Sequence, residues 1–335
     1  MKKYKICKIL LVILAIFLCV AFYELLGICV AYKKQPEVSN TTKKETKNGS
    51  WNECSENTER AVIIEKNPEA LLQRVRLIKN AKKEIILSTF AFQSDESGKL
   101  ILGALHDAAD RGVHIRLLVD GMESWIDMEG NPYFYGLSSH ENVEIKLYNK
   151  ANPLKPWKMM GRMHDKYLIA DGKRYILGGR NTYNYFLGDF PGHKNYDRDV
   201  LVVCDEPEKE NSVNQLLEYF ETIWEQEDSG YFHDNKKLAN RKSVKNAVLE
   251  LQNGYQKYFE ENKERICDTD YTDETFETEK IALVSNPIHT GPKEPVVWYQ
   301  LGELMKNAKE RVKIHTPYII CLLYTSPSPR DRQKS

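Results

Sequence analysis

A histidine, a lysine and an asparagine are closely spaced in the middle of the chain. Residues 162–171 read RMHDKYLIAD, which places one residue between His164 and Lys166 and four between Lys166 and Asp171, and a Gly-Gly-Arg-Asn run then ends at Asn181. A neutral imidazole can attack phosphorus and form a covalent intermediate. A fixed ammonium and a carboxamide can stabilise charge on the non-bridging phosphate oxygens. These are the groups that phosphodiester chemistry needs.

A β-hairpin is expected to position these groups. Side chains alternate along a strand, so His164 and Lys166 share one face. The Asp-Gly pair at 171–172 is a strong turn signal and predicts that the chain returns as a second strand. That strand would bring Gly178 and Gly179 back beside the histidine, where glycine permits close backbone approach. Strand parity and turn position favour a structural role for Asp171 over a phosphate contact.

Taken together, these residues resemble the HKD motif of the phospholipase D superfamily, including its downstream Gly-Gly-x-Asn. The Arg-x-His-x-Lys spacing and the Gly-Gly-Arg-Asn ending are most similar to the bacterial cardiolipin synthase-like branch. A surface hairpin with an exposed histidine is the alternative interpretation. The predicted site is catalytic at His164, Lys166, Asp171, Asn181 and Asp197, and substrate-binding at Arg162, Gly178 and Gly179.

Asp197 enters this set through the resemblance. In the resembled family an acidic residue in this region orients the catalytic imidazole, by the logic of a hydrolase triad. Asp197 is the first candidate and Asp199 the second, and a purely structural role for either stays open. The resembled enzymes also bring two motifs together, so that one histidine attacks phosphorus and the other protonates the leaving alcohol. Either role could fall to His164.

Strands that alternate with amphipathic helices surround the motif. Apolar segments near 61–65, 84–92, 113–119 and 143–148 predict strands, and helical apolar stripes separate the earlier ones. This pattern predicts an α/β fold whose mixed, mostly parallel sheet is sandwiched by helices. The complete first phospholipase D-like half would span 61–265.

A repeat marks the start of a second half at 266–320. Lys-Asn-Ala-Lys at 79–82 recurs at 306–309, an offset of 227 residues, and each copy is followed by a strand-like run. Adding 227 to 164 puts a second motif histidine near 391, beyond the last residue, so this chain should be inactive alone unless two copies pair. Residues 321–335 resemble a translated sequencing-library adapter. A genuine disordered tail is the alternative.

The N-terminus predicts a membrane anchor. Four lysines precede an apolar run over 9–32, broken only by Glu24. Twenty-four helical residues span about 36 Å, enough for a bilayer core of roughly 30 Å. A signal peptide is the alternative, but its apolar region would be unusually long. The polar segment 33–60 is typical of a flexible tether. We expect a single-pass cell-membrane protein whose body is extracytoplasmic.

The charge balance and the histidine spacing indicate which ligands the protein is expected to bind. The chain has 48 basic and 48 acidic residues, so no overall positive charge favours nucleic acid. Its eight histidines show no metal-ligand spacing, and we expect neither a metal nor another cofactor. The resemblance then implies a phosphatidyltransferase or phospholipase acting on an anionic, phosphatidylglycerol-like lipid. The alternatives are a nuclease with the same chemistry and an inactive membrane scaffold of the same fold.

Overall fold

The computed structural model describes residues 2–49, 59–204, 206, 211–233 and 237–314, with side chains from residue 6 onward. Within these ranges the α-helices are α1 Lys2–Ala31, α2 Asn40–Asn48, α3 Asn67–Asn80, α4 Glu96–Asp110, α5 Gly121–Asp127, α6 Pro132–Ser138, α7 Ser212–Trp224, α8 Lys242–Glu261, α9 Lys263–Cys267 and α10 Val296–Asn307. The strands are β1 Glu59–Ile64, β2 Glu84–Thr89, β3 His114–Asp120, β4 Val143–Tyr148, β5 Lys166–Ala170, β6 Arg174–Gly178, β7 Asp199–Cys204, β8 Ser229–Tyr231 and β9 Phe276–Glu277.

These strands form one mixed sheet in the order β8-β4-β3-β2-β5-β6-β7-β1-β9. The predicted α/β class is confirmed, but the predicted predominance of parallel pairing is wrong. Only β2 with β3 and β3 with β4 pair in parallel, and the other neighbours are antiparallel. Parallel neighbours need a crossover, and here helices α4 to α6 supply it. Strands β5, β6 and β7 follow one another without an intervening helix and pair antiparallel.

Helices cover both faces of the sheet, because its central strands are apolar on both sides. On one face, side chains such as Leu87, Leu117 and Leu168 pack with α3, α4, α6 and α8. On the other face, Tyr167 and Ile169 pack against α7. Successive residues of β5 therefore enter opposite cores, as strand alternation requires.

The motif hairpin forms as the sequence predicts. Strands β5 and β6 pair from Tyr167 with Leu177 to Ala170 with Arg174. Asp171 and Gly172 make the turn with φ of 54° and 62°. Both lie in the left-handed region, which Asp tolerates and Gly adopts freely.

The N-terminal helix α1 contains one segment, Ile6–Ala31, that is long and apolar enough to cross a membrane. The predicted tether is partly ordered, since 40–48 forms α2. Ser39 caps this helix, and Thr42 Oγ1 donates to Glu294 Oε1 at 2.6 Å. The rest of the predicted tether includes 50–58, which lies outside the described residues.

The internal repeat has a structural counterpart. Helix α3 ends at Asn80 and α10 ends at Asn307, the same residue of the two Lys-Asn-Ala-Lys copies. The chain then leaves both helices in an extended conformation, at Ala81 and Ala308. Residues 311–314, the counterpart of the start of β2, form no strand. The predicted adapter-like tail, 321–335, lies outside the described residues.

Candidate functional site

The predicted site gathers at the C-terminal end of β2. Lys166 pairs with Thr89 in the sheet, which brings the start of β5 beside the residues that follow β2. The ring of Phe90 then lies 4.7 Å from the His164 ring, edge to face. One residue further, the Ala91 amide donates to Asn181 Oδ1 at 3.3 Å.

His164 is exposed, and its imidazole is available for chemistry. Among the described residues, no hydrogen-bond partner of the ring is found. Partial desolvation lowers the pKa of His164, and the nearby Lys166 ammonium lowers it further. The imidazole is therefore mostly neutral at pH 7, the state in which it can act as a nucleophile.

Lys166 is buried next to the histidine. Its ammonium donates to the His164 carbonyl oxygen at 2.6 Å and lies 5.1 Å from the Phe90 ring centroid. Burial lowers its pKa to about 8, against the opposing effect of nearby carboxylates. The side chain is thus mostly cationic at pH 7, and two of its three protons stay free for a ligand.

The Gly-Gly-Arg-Asn run packs closely against the chain that leads into β7. A side chain at Gly178 would collide with Asp199, and one at Gly179 would collide with the Asp197 carboxylate. Close packing therefore explains both glycines. Their predicted substrate contact stays a prediction, and Gly178 does line a cavity beside the histidine.

Asp197 does not reach the imidazole, which corrects its predicted role as the orienting acid. Its carboxylate instead accepts from the Arg198 amide at 2.7 Å and lies against Gly179. It still acts electrostatically on Lys166, whose pKa it tends to raise. Asp199, the second candidate, is buried and forms an ion pair with Arg74 at 2.9 Å.

Asp171 is a structural residue, and its catalytic assignment is corrected. Its carboxylate accepts from the backbone amides of Lys82, Lys83 and Glu84 at 2.7–3.1 Å. These bonds anchor the hairpin turn to the start of β2, at the opposite end of that strand from Phe90. The role that turn position and strand parity favoured is the one the structure has.

Arg162 lines the cavity beside His164, so its predicted role in substrate binding stays a prediction. Its guanidinium contacts Asp120 at 2.7 Å and Glu123 at 2.8 Å. Its Cζ atom lies 4.9 Å from the Phe90 ring centroid. Two carboxylates neutralise this cation, so Arg162 positions the segment before His164.

Sequence reasoning missed two residues that hold the site together. Asp120, at the end of β3, is buried, caps α5 and accepts from the Met163 amide at 3.0 Å. Phe90 contacts His164, Arg162 and Lys166. An Asp-Gly pair at the end of β3 was the only local signal for Asp120, and nothing local marked Phe90.

A cavity of about 400 Å³ opens beside the motif. His164, Asp165 and Lys166 line one side, and residues from 283–297 line the other. Asp165 accepts from the Tyr219 hydroxyl at 2.7 Å, and burial raises its pKa. Burial lowers the pKa of Lys293 on the facing wall. Across the part of the chain that is described, no three His, Cys, Asp or Glu residues form a metal-binding group.

Comparison with known proteins finds similarity to the family that the motif resembles. Residues 74–224 match a family model described as cardiolipin synthase, phospholipase D-like domain. An uncharacterised protein of Helicobacter pylori strain J99 is 28% identical over 292 residues, covering 78% of this chain and 54% of that protein. The chain thus spans about half the length of this relative.

Two further comparisons involve named proteins. Cardiolipin synthase C of Escherichia coli K12 is 29% identical over 171 residues, covering 47% of this chain and 34% of that protein. The solved phosphatidylserine synthase of Haemophilus influenzae covers 73% of this chain and 52% of its own, with 17% identity and a TM-score of 0.45.

Proposed function

Because the chain belongs to the phospholipase D superfamily, in its cardiolipin synthase-like branch, we propose that it is the first half of a membrane-anchored phosphatidyltransferase or phospholipase. The observation that carries this proposal is the exposed His164 imidazole beside the buried Lys166, whose ammonium donates to the His164 carbonyl at 2.6 Å. A nucleophile and a charge-stabilising group next to a cavity are what attack on a phosphodiester requires.

The reaction proceeds in two displacements. An imidazole nitrogen of His164 attacks the phospholipid phosphorus, a P–N bond forms, and the P–O bond to the leaving alcohol breaks. The leaving oxygen takes a proton from a general acid. The hydroxyl of a second phosphatidylglycerol-like lipid, or of water, then attacks phosphorus and gives its proton to that same acid, and the P–N bond breaks.

The residues around His164 bind the phosphoryl group and position the nucleophile. Lys166 and Asn181 bind the phosphoryl oxygens, and Phe90 and Asp120 fix the segment that carries the nucleophile. A second histidine supplies the general acid, either from a second motif near 391 or from a paired copy of the chain. The apolar helix α1 holds the site at the membrane that carries the substrate, with the body outside the cytoplasm.

A lipid-exchange assay tests this function. The source gene is first sequenced past Ile320, and its product is incubated with labelled phosphatidylglycerol. His164→Ala should lower transfer by at least about 10³-fold. His114→Ala is the matched control, because His114 lies at the start of β3, away from the site. Equal turnover by wild type and His164→Ala would refute the proposal. Cleavage of labelled DNA without lipid turnover would favour the nuclease alternative.

A further inference from the structure

Five large apolar side chains lie exposed close to the membrane helix. Trp125 and Ile126 on α5 are 69% and 66% exposed. In the loop that precedes the motif, Leu154 is 77%, Trp157 46% and Met160 55% exposed. Side chains this apolar cost free energy when they face water. We call these five residues the apolar rim.

The loop that carries Leu154, Trp157 and Met160, which we call the rim loop, packs along the side of α1. It does not lie beyond the C-terminal end of that helix. The Tyr23 hydroxyl donates to the Leu154 carbonyl at 3.1 Å, and Gly27 packs so closely on Pro156 that no side chain would fit there. Helix α1 ends at Ala31. With a rise of 1.5 Å per residue, these two contacts lie about 6 to 12 Å below the helix end. If α1 spans the bilayer, the loop lies at the level of the headgroups and the upper acyl chains.

Helix α5 belongs to the same surface. A cavity of about 470 Å³ is lined jointly by Glu24 of α1, Trp125 of α5 and Pro153 of the loop. The two tryptophans of the rim are the side chains that concentrate at membrane interfaces.

The loop of this surface is basic, whereas α5 carries the acidic residues Glu123 and Asp127. The loop 149–160 contains three lysines and no acidic residue, and Lys33 and Lys34 follow α1. Lys158 is paired with Asp228, whereas Lys155 is exposed. Basic residues next to a membrane helix are attracted to anionic headgroups.

We propose that the apolar rim inserts into the bilayer surface beside α1 and holds the site at the headgroups of its substrate. Arg162 and His164 follow the rim loop directly, so insertion sets their height above the membrane. This inference rests on the proposed function for its purpose, but the contact itself does not depend on catalysis.

Tryptophan quenching by brominated lipid tests the insertion. The full chain is reconstituted in phosphatidylglycerol-containing vesicles whose acyl chains are brominated near the headgroup. Helix α1 contains no tryptophan, and Trp51 of the predicted tether is replaced by Phe in every chain compared, so quenching reports on the body of the protein. Replacing both Trp125 and Trp157 by Phe should remove most of the quenching. Trp298→Phe should keep it, because Trp298 is 61% exposed but lies on α10, outside the rim.

Three outcomes decide the matter. Loss of quenching in the Trp125/Trp157 variant alone supports insertion. Quenching that is absent, or unchanged in that variant, overturns it. Rim tryptophans shielded from both brominated lipid and aqueous acrylamide would place a second copy on this surface and also overturn it. The His164→Ala chain should quench like wild type, so a failure of the proposed chemistry is distinguishable from a failure of the rim.

Discussion

The phenyl ring of Phe90 lies 4.7 Å from the imidazole of His164, with 64° between the two planes. The same ring contacts the cations of Arg162 and Lys166. One side chain thus contacts the proposed nucleophile, its charged neighbour and Arg162, which leads into the motif.

We predict that Phe90→Leu lowers phosphatidyl transfer about tenfold, because an edge-to-face contact is worth about one kcal/mol and a misplaced nucleophile loses rate. Partial desolvation of His164 should also weaken, so its pKa should rise towards the ordinary value. Lipid exchange and an NMR titration of the His164 ring measure the two effects. Phe90→Tyr keeps the ring and should resemble wild type. A Leu variant with unchanged transfer and unchanged pKa would show that Phe90 positions nothing.

A second prediction concerns pH. Burial lowers the pKa of Lys166 to about 8, so the ammonium loses its proton as the pH rises through that value. Binding of a phosphate group should therefore weaken above about pH 8. Titration of the protein with inorganic phosphate at several pH values, followed by ³¹P NMR, measures this.

Lys166→Arg is the informative variant for this titration. Arginine stays protonated across the accessible range, so the loss of binding above pH 8 should disappear, whereas Lys166→Met should bind weakly at every pH. An alkaline loss that persists in the Arg variant would assign the titration to another group.

A third prediction concerns the contribution of Asp171 to the stability of the fold. Its carboxylate accepts from three backbone amides at the start of β2, and it occupies a left-handed turn position. Asp171→Ala should lower the free energy of unfolding by about 2–3 kcal/mol. Asp171→Asn, which tolerates the turn and keeps one acceptor oxygen, should lower it by less. Urea unfolding gives the two values.

The His164 pKa supplies the control for Asp171. It should be the same in both variants, because the turn lies at the far end of the hairpin. A shift in that pKa without loss of stability would return Asp171 to the catalytic group.

Structural features that depend on residues close together in the chain were predicted correctly from local sequence patterns. The Asp-Gly turn, the alternation in β5 and the apolar stripes of α3 and α4 each depend on neighbours within a few residues, and each formed as expected. The repeat even placed the ends of α3 and α10 at matching residues.

Contacts between distant segments could not be predicted in this way. Strand direction depends on how the chain crosses over, which periodicity does not encode, so the antiparallel pairs other than the β5–β6 hairpin were missed. Phe90 and Asp120 meet the motif only once β2, β3 and β5 lie side by side. The prediction for Asp197 came from the family resemblance alone. In the structure its carboxylate accepts from the Arg198 amide and does not contact the His164 imidazole.

The final prediction concerns the ion cluster beneath the Gly-Gly-Arg-Asn run. Asp199 lies between Arg74 at 2.9 Å and Arg180 at 3.3 Å, with all three side chains buried. Arg180 also donates to the Asp197 carbonyl, so the cluster connects this run to the strand β7. Asp199→Ala would leave two buried cations uncompensated and should cost about 3–5 kcal/mol of unfolding free energy. Glu277→Ala breaks the exposed pair with Arg60 and should change little. Urea unfolding of both variants, followed through tryptophan fluorescence, compares them. Equal stabilities would mean that water reaches the arginines and that the cluster does not hold the run in place.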